Sequence, residues 1–184
     1  MLTRTLVFDR QTIMSNVPIF VDLQGFVFRN NFTAKEIAVL RDGQTLSHYI
    51  FREPVPWNFL TRAEKSEACW LKLHHHGFRW DDGYVPYCEM KNLVRAAIGA
   101  DPPLIYVKGL EKRRWLQQIL DDDDYLLIET IDADYDDIAR LKDMDASGTL
   151  RCGYHTRHCA MRNVCKLYKW WCEKKKCTDK DKMY

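Results

Sequence analysis

Apolar positions along the chain change period several times, and each change marks an element. Val17-Pro-Ile-Phe-Val-Asp22 is a short apolar run rich in β-formers that ends on a carboxylate, the pattern of a buried strand. Thr33–Leu40 and Leu46–Phe51 read as two further strands. Asp42-Gly43 between them signals a hairpin, because both residue types tolerate the positive φ of a tight turn. Gly25 and the Asn30-Asn31 pair punctuate the chain before the second strand. Three consecutive strands therefore open the domain as an antiparallel meander. Residues 1–16 show no clear period and read as a flexible leader.

From Trp57 the period lengthens. Phe59 to Leu73 lacks Gly and Pro, is rich in Ala, Glu, Lys and Leu, and predicts a helix. Asp81-Asp82-Gly83 marks a turn, and Cys88 to Ile98 predicts a second helix with Leu93, Val94, Ala97 and Ile98 inward. Leu104–Val107 is a compact strand after Pro102-Pro103, Glu111 to Leu120 a helix, and Tyr125 to Thr130 another short strand. The acidic stretch Asp132 to Asp145 reads as solvated, with Ile138 and Leu141 making limited core contact. Cys159 to Glu173 predicts a last helix with Ala160, Val164, Leu167 and Trp171 on one side. Residues 174–184 form a basic tail expected to fray. The order predicts a single α/β domain over residues 17–173, built on a mixed sheet flanked by helices.

Composition narrows the class. With 184 residues, 46% hydrophobic and 29% charged, the chain is long enough to bury a core and too apolar to be disordered. A net charge of +2 gives no global attraction to a polyanion. No apolar run approaches the roughly 20 residues that span a bilayer, and the N-terminus has no secretory h-region. The expectation is an intracellular protein, cytoplasmic or nuclear, with no membrane partner. Its seven cysteines are then reduced thiols, available to the core or to a metal.

The densest chemistry is Cys152-Gly-Tyr-His155-Thr-Arg-His158-Cys159. Thiolate and neutral imidazole are the donors that tetrahedral zinc prefers, and Cys-x2-His lets one turn aim two side chains at an ion. His158 and Cys159 point apart on a helix, so Cys152, His155 and Cys159 make the better triplet, with a fourth ligand from elsewhere. The competing reading is buried cysteines beside exposed histidines. His74-His75-His76 before Gly77 suggests a helix C-terminus capped by imidazole, and Asp121–Asp124 a solvated acidic loop. From Arg151 onward there are ten Lys/Arg against three Asp/Glu. Lys166, Lys169 and Lys174, Lys175 and Lys176 interleave with Tyr168, Trp170 and Trp171, a pattern that can hold phosphates and stack bases.

Asp22-Leu-Gln24, Lys35-Glu-Ile-Ala-Val and Phe51-Arg-Glu-Pro54, then His76-Gly-Phe78 and His158-Cys-Ala-Met-Arg-Asn163, resemble the DEDDh-type 3′–5′ exonucleases in order and spacing over most of residues 17–172. The resemblance implies an RNase H-like fold. Such enzymes hold two divalent ions on four carboxylates beside a histidine general base. At the matching positions this chain keeps Asp22 and His158, but has Gln24, Lys112 and Asn163 where the other three carboxylates belong. Two-metal hydrolysis is therefore not expected, and no Mg²⁺; a metal-dependent exonuclease with an unorthodox ligand set is the alternative.

A narrower resemblance is to the Maelstrom family of the piRNA pathway, whose domain looks like a DEDDh fold stripped of its carboxylates and stapled by a Glu-Cys-His-Cys zinc site. Cys152-Gly-Tyr-His155 followed by Cys159-Ala160 is similar to its Cys-x2-His…Cys-Ala segment, and Pro102-Pro-Leu-Ile-Tyr-Val-Lys108 before Arg113-Arg-Trp115 to its Pro-Pro-Ile-Tyr stretch. Phe51-Arg-Glu53-Pro54 falls at its post-strand loop, which makes Glu53 the candidate acidic ligand, with Glu89 in reserve. A shorter Cys–Cys interval and no N-terminal HMG box fit a diverged relative, viral or transposon-borne. The resemblance implies a structural zinc, single-stranded RNA binding, RNA-silencing partners and room for metal-independent RNA cleavage. Beyond the basic last helix, Arg113 and Arg114, next to Lys112, are a second RNA-facing candidate.

Overall fold

In the computed structural model, which describes residues 17–181 except 101, 103, 122, 124 and 156 (backbone alone over 177–181), the opening apolar run becomes β1 (Ile19–Phe28). The leader expected at 1–16 lies outside the described residues. β1 passes through Gly25 instead of stopping there, because the register against β2 (Asn31–Arg41) slips between Gln24 and Gly25. A Cβ on Gly25 would lie 2.2 Å from the Thr33 carbonyl, so only glycine permits the strands to approach at this bulge. Asp42 and Gly43 both take positive φ and turn the chain into β3 (Thr45–Ile50), as their types predict. Gly43 also presses on α5 (Ala160–Asp181), where a Cβ would strike the Tyr168 ring.

Beyond the meander come α1 (Arg62–His74), α2 (Met90–Ile98), β4 (Ile105–Val107), α3 (Leu110–Ile119), β5 (Ile128–Thr130) and the single turn α4 (Ile131–Asp134). α1 starts at Arg62 because Thr61 and Glu64 form a reciprocal capping box, a stop worth about 1 kcal/mol. The five strands make one mixed sheet in the order β3-β2-β1-β4-β5. Its β1–β2 and β2–β3 pairs are antiparallel, and its β1–β4 and β4–β5 pairs parallel. This is the α/β architecture expected.

Strand alternation sends successive side chains to opposite faces. Ile19, Val21, Leu23, Ile37 and Val39 pack with Val94 and Ile98 of α2, Leu116 of α3 and Leu120 just beyond it. On the other face Phe20, Ala38 and Leu40 pack with Ala160, Val164 and Leu167 of α5. Each such buried side chain contributes on the order of 1.5–3 kcal/mol. Phe26 and Ile50 carry a third cluster with Leu60, Ala68, Phe78 and Trp80 beneath α1. α5 continues helically to Asp181, through the lysine run where fraying was expected. No described helix is long and apolar enough to cross a membrane.

Candidate metal centre

The face of the sheet under α5 carries polar residues where apolar ones are usual. Pairing sets Asp22 opposite Ala38, Gln24 opposite Glu36 and His48 opposite Ala38, so Asp22, Gln24, Glu36 and His48 share that face. Asp22 and Glu36 are fully buried. Each finds a different solution to the cost of burying charge.

Glu36 meets the segment before α5. One donor atom each from Glu36, Cys152, His155 and Cys159 lies within 4.8 Å of the others, a group that can hold a metal ion. His155 Nε2 is 3.1 Å from Glu36 Oε1, and the Cys159 thiol is 3.8 Å from the same oxygen. Cys152 N–H donates to Cys159 Sγ at 3.5 Å. The surroundings orient the donors. His155 Nδ1–H donates to the Arg157 carbonyl at 2.6 Å, which leaves Nε2 facing inward. The Ala160 amide at the start of α5 donates to Glu36 Oε2 at 2.9 Å, and His48 Nε2–H to Oε1 at 2.8 Å. Phe78 covers His155 with ring centroids 4.3 Å apart.

Proton affinities reflect this crowding. Burial opposes charge on His155, but hydrogen bonds to Cys159 and Glu36 outweigh it and hold its pKa up at about 10. Burial likewise opposes the Glu36 carboxylate, and the imidazoles of His155 and His48 pull it below the usual range. The hydrogen bond from Cys159 lowers the Cys152 thiol to about 7, while that bond and burial push Cys159 up to about 12. The donors thus share protons among themselves, and a metal ion that bound them would displace those protons.

The acidic member of this group is Glu36, not Glu53. Glu53 follows β3 and is not in the cluster; its charge instead acts on the buried Lys35. Glu89 directly precedes α2 and is exposed. Glu36 escaped notice because only long-range closure brings it to residues 119 to 124 positions away. Its one local signal was a charged pair, Lys35-Glu36, inside an otherwise apolar strand. His48 was missed for the same reason.

Asp22 lies beside this group, and Gln24, Lys112 and Asn163 all converge on it. Lys112 Nζ donates to Oδ1, Asn163 Nδ2 to Oδ2 at 2.7 Å, and Gln24 Nε2 to Oδ2 at 3.3 Å. Burial pushes the Asp22 carboxyl up, against the pull of Lys112 and Asn163. His158 lines the same cleft of about 470 Å³ and stacks on His75 with ring centroids 4.3 Å apart. Of the histidine run, His76 ties the end of α1 to the β1 bulge by donating to the Gly25 carbonyl at 3.0 Å.

The proposed RNA-facing cations are mostly engaged within the molecule. Lys166 is buried and donates to the Leu141 carbonyl at 2.7 Å. Lys169 pairs with Asp145, and Lys174 with Asp137. Lys174 and Lys175 also sit over Trp170 and Trp171 at 5.5 and 5.7 Å. Arg113 pairs with Glu129 at 3.3 Å, whereas Arg114 and Lys176 are exposed. The acidic stretch that read as merely solvated is thus the counter-charge to the last helix. Asp121 and Asp123 likewise pair with Lys91 and Arg95 of α2.

The chain matches no family model, and neither a curated protein nor a solved structure is significantly similar to it.

Proposed function

We propose that the chain is a catalytically degenerate RNase H-like domain of the Maelstrom type, held by a structural zinc ion and acting by binding single-stranded RNA. The observation that carries this reading is Lys112 on Asp22. Two-metal hydrolysis needs several carboxylates around two divalent ions, with positions open to water and substrate. Around Asp22 stand an ammonium and two neutral amides. The ammonium repels a cation, and the amides cannot supply its counter-charge.

Zinc suits the other cluster. Two sulfurs, one imidazole nitrogen and one carboxylate oxygen complete a tetrahedral set with no open position, the mark of structural sites. Donors bound at about 2.0–2.3 Å stand some 3.3–3.8 Å apart in a tetrahedron, a small contraction from the present spacing. An ion there joins β2, the 152–159 turn and the start of α5, and so adds to the apolar packing of α5 on β2 and to the Ala160–Glu36 hydrogen bond. The RNA-silencing setting rests on the family resemblance.

The test is hydrolysis of labelled single-stranded RNA with Mg²⁺ or Mn²⁺. No metal-dependent laddering is expected, and direct RNA binding at low salt is. Laddering abolished by Asp22→Ala would identify an active exonuclease instead.

A further inference from the structure

We infer that single-stranded RNA docks on the outward face of α1, not on the basic last helix; this locates the RNA binding proposed above and rests on it. Arg62, Lys65 and Lys72 recur at helical spacing and form one stripe about 15 Å long. Among the described residues none of the three meets a carboxylate, whereas Lys169 and Lys174 of α5 face Asp145 and Asp137. Lys112 and Lys108 in the cleft are neutralised as well, by Asp22 and Asp132. The two carboxylates of α1 lie off the stripe: Glu64 closes the capping box, and Glu67 lines the opposite cleft. Three cations without a carboxylate partner among the described residues therefore line one face of α1, while Arg114, Lys175 and Lys176 also stand exposed elsewhere.

A flat ring borders the same stripe: Trp57 is 38% exposed with the Lys65 ammonium 5.9 Å from its ring centroid. Between Trp57 and α1 opens a cavity of about 300 Å³, bounded by Cys69, Lys72, Arg79 and Trp80. Trp80 is its rigid floor, fixed by its indole N–H on the Val55 carbonyl at 2.8 Å. Asp81 also borders the cavity, but Arg79 holds it at 2.9 Å. Cations in a row beside an exposed ring match a strand of phosphates with an unstacked base, the form that a duplex does not offer. Phosphates meet Arg62, Lys65 and Lys72, and one base enters over Trp57.

The experiment is fluorescence anisotropy of a short labelled oligouridylate over a series of salt concentrations, with the full chain. The variants are Arg62→Gln/Lys65→Gln/Lys72→Gln, Trp57→Leu and, for comparison, Lys169→Gln/Lys174→Gln. All substitute side chains at least partly open to solvent, and circular dichroism with thermal melts confirms that each folds. The triple variant is expected to bind at least tenfold more weakly, with a log–log salt slope shallower by about 2, since each phosphate contact contributes about 0.7. Trp57→Leu is expected to lose about tenfold, and the α5 variant nothing. Wild-type binding that survives the triple substitution, or falls only in the α5 variant, overturns the placement and leaves RNA binding standing. Wild type that binds no RNA at low salt overturns the RNA-binding reading itself. Poly-glutamate that displaces the RNA at equal charge concentration overturns RNA as the occupant in favour of an acidic protein.

Discussion

Lys112 of α3 donates its ammonium proton to Oδ1 of the fully buried Asp22 on β1, across 90 residues of sequence. The Lys112 side chain is 16% exposed and reaches the pair from the cleft. It can regain water if released, whereas Asp22 cannot. Removing the lysine strands a buried carboxylate that only two amides still solvate. Lys112→Met should therefore cost about 3–5 kcal/mol in urea unfolding. Asp22→Asn on that background should recover most of the loss, because the neutral side chain needs no counter-charge. Equal costs for the single and double variants would show that the pair is not coupled.

The metal-site assignment separates two carboxylates that the sequence alone could not. Cys152→Ser and Glu36→Gln should each purify without zinc and melt well below the wild type, while Glu53→Gln keeps a full equivalent. Elemental analysis and thermal melts read both effects. Chelator treatment of the wild type should mimic the ligand variants, since ligation energy in a closed site is folding energy. Zinc-free wild-type protein would remove the ion from the account.

Local periodicity made the elements legible, and long-range closure hid the site. The apolar alternation of β1 and β2 and the spacing of Val164, Leu167 and Trp171 are properties of neighbours, so they can be read in order. Cys152, His155 and Cys159 were legible because one turn holds all three. Glu36 was not, because its partners reach it only once β2 and α5 are packed. Lys169 and Lys174 of α5 look like an RNA surface in the sequence for the same reason: their carboxylates lie 24 and 37 residues away and fold back onto them. Thr61-Arg-Ala-Glu64 did carry a capping box in plain view, and it sets the start of α1 three residues after Phe59.

His48 should matter through Glu36. Its Nε2–H fixes Oε1 of the carboxylate, and the Ala160 amide fixes the other oxygen. Outer partners of metal ligands are worth roughly tenfold to a hundredfold in affinity. His48→Ala is expected to weaken zinc by that factor in competition with a chromophoric chelator, and His48→Gln, which keeps an N–H donor, by less. The visible spectrum of the cobalt-substituted protein should shift in His48→Ala, a change that loss of packing alone does not produce. An unaltered spectrum and affinity would reduce His48 to a packing residue.

His76 gives the fold a defined acid sensitivity. It is buried and neutral, donating Nε2–H to the Gly25 carbonyl and accepting the Phe78 amide on Nδ1 at 3.1 Å. Burial, followed by the neighbouring His75, lowers its pKa from 6.5 to about 4. Between those values the unfolded chain binds a proton that the folded one refuses, so stability is complete above pH 6.5 and falls as pH drops toward 4. The full span corresponds to about 3 kcal/mol. His76→Gln keeps a donor and an acceptor without titrating, so the difference in stability between wild type and variant should shrink or reverse toward acid by about that amount. Urea unfolding at pH 7, 5.5 and 4.5 measures it, and comparison at each pH cancels the protonation of the metal ligands. A difference that stays constant with pH would mean that His76 takes up its proton in the fold without cost.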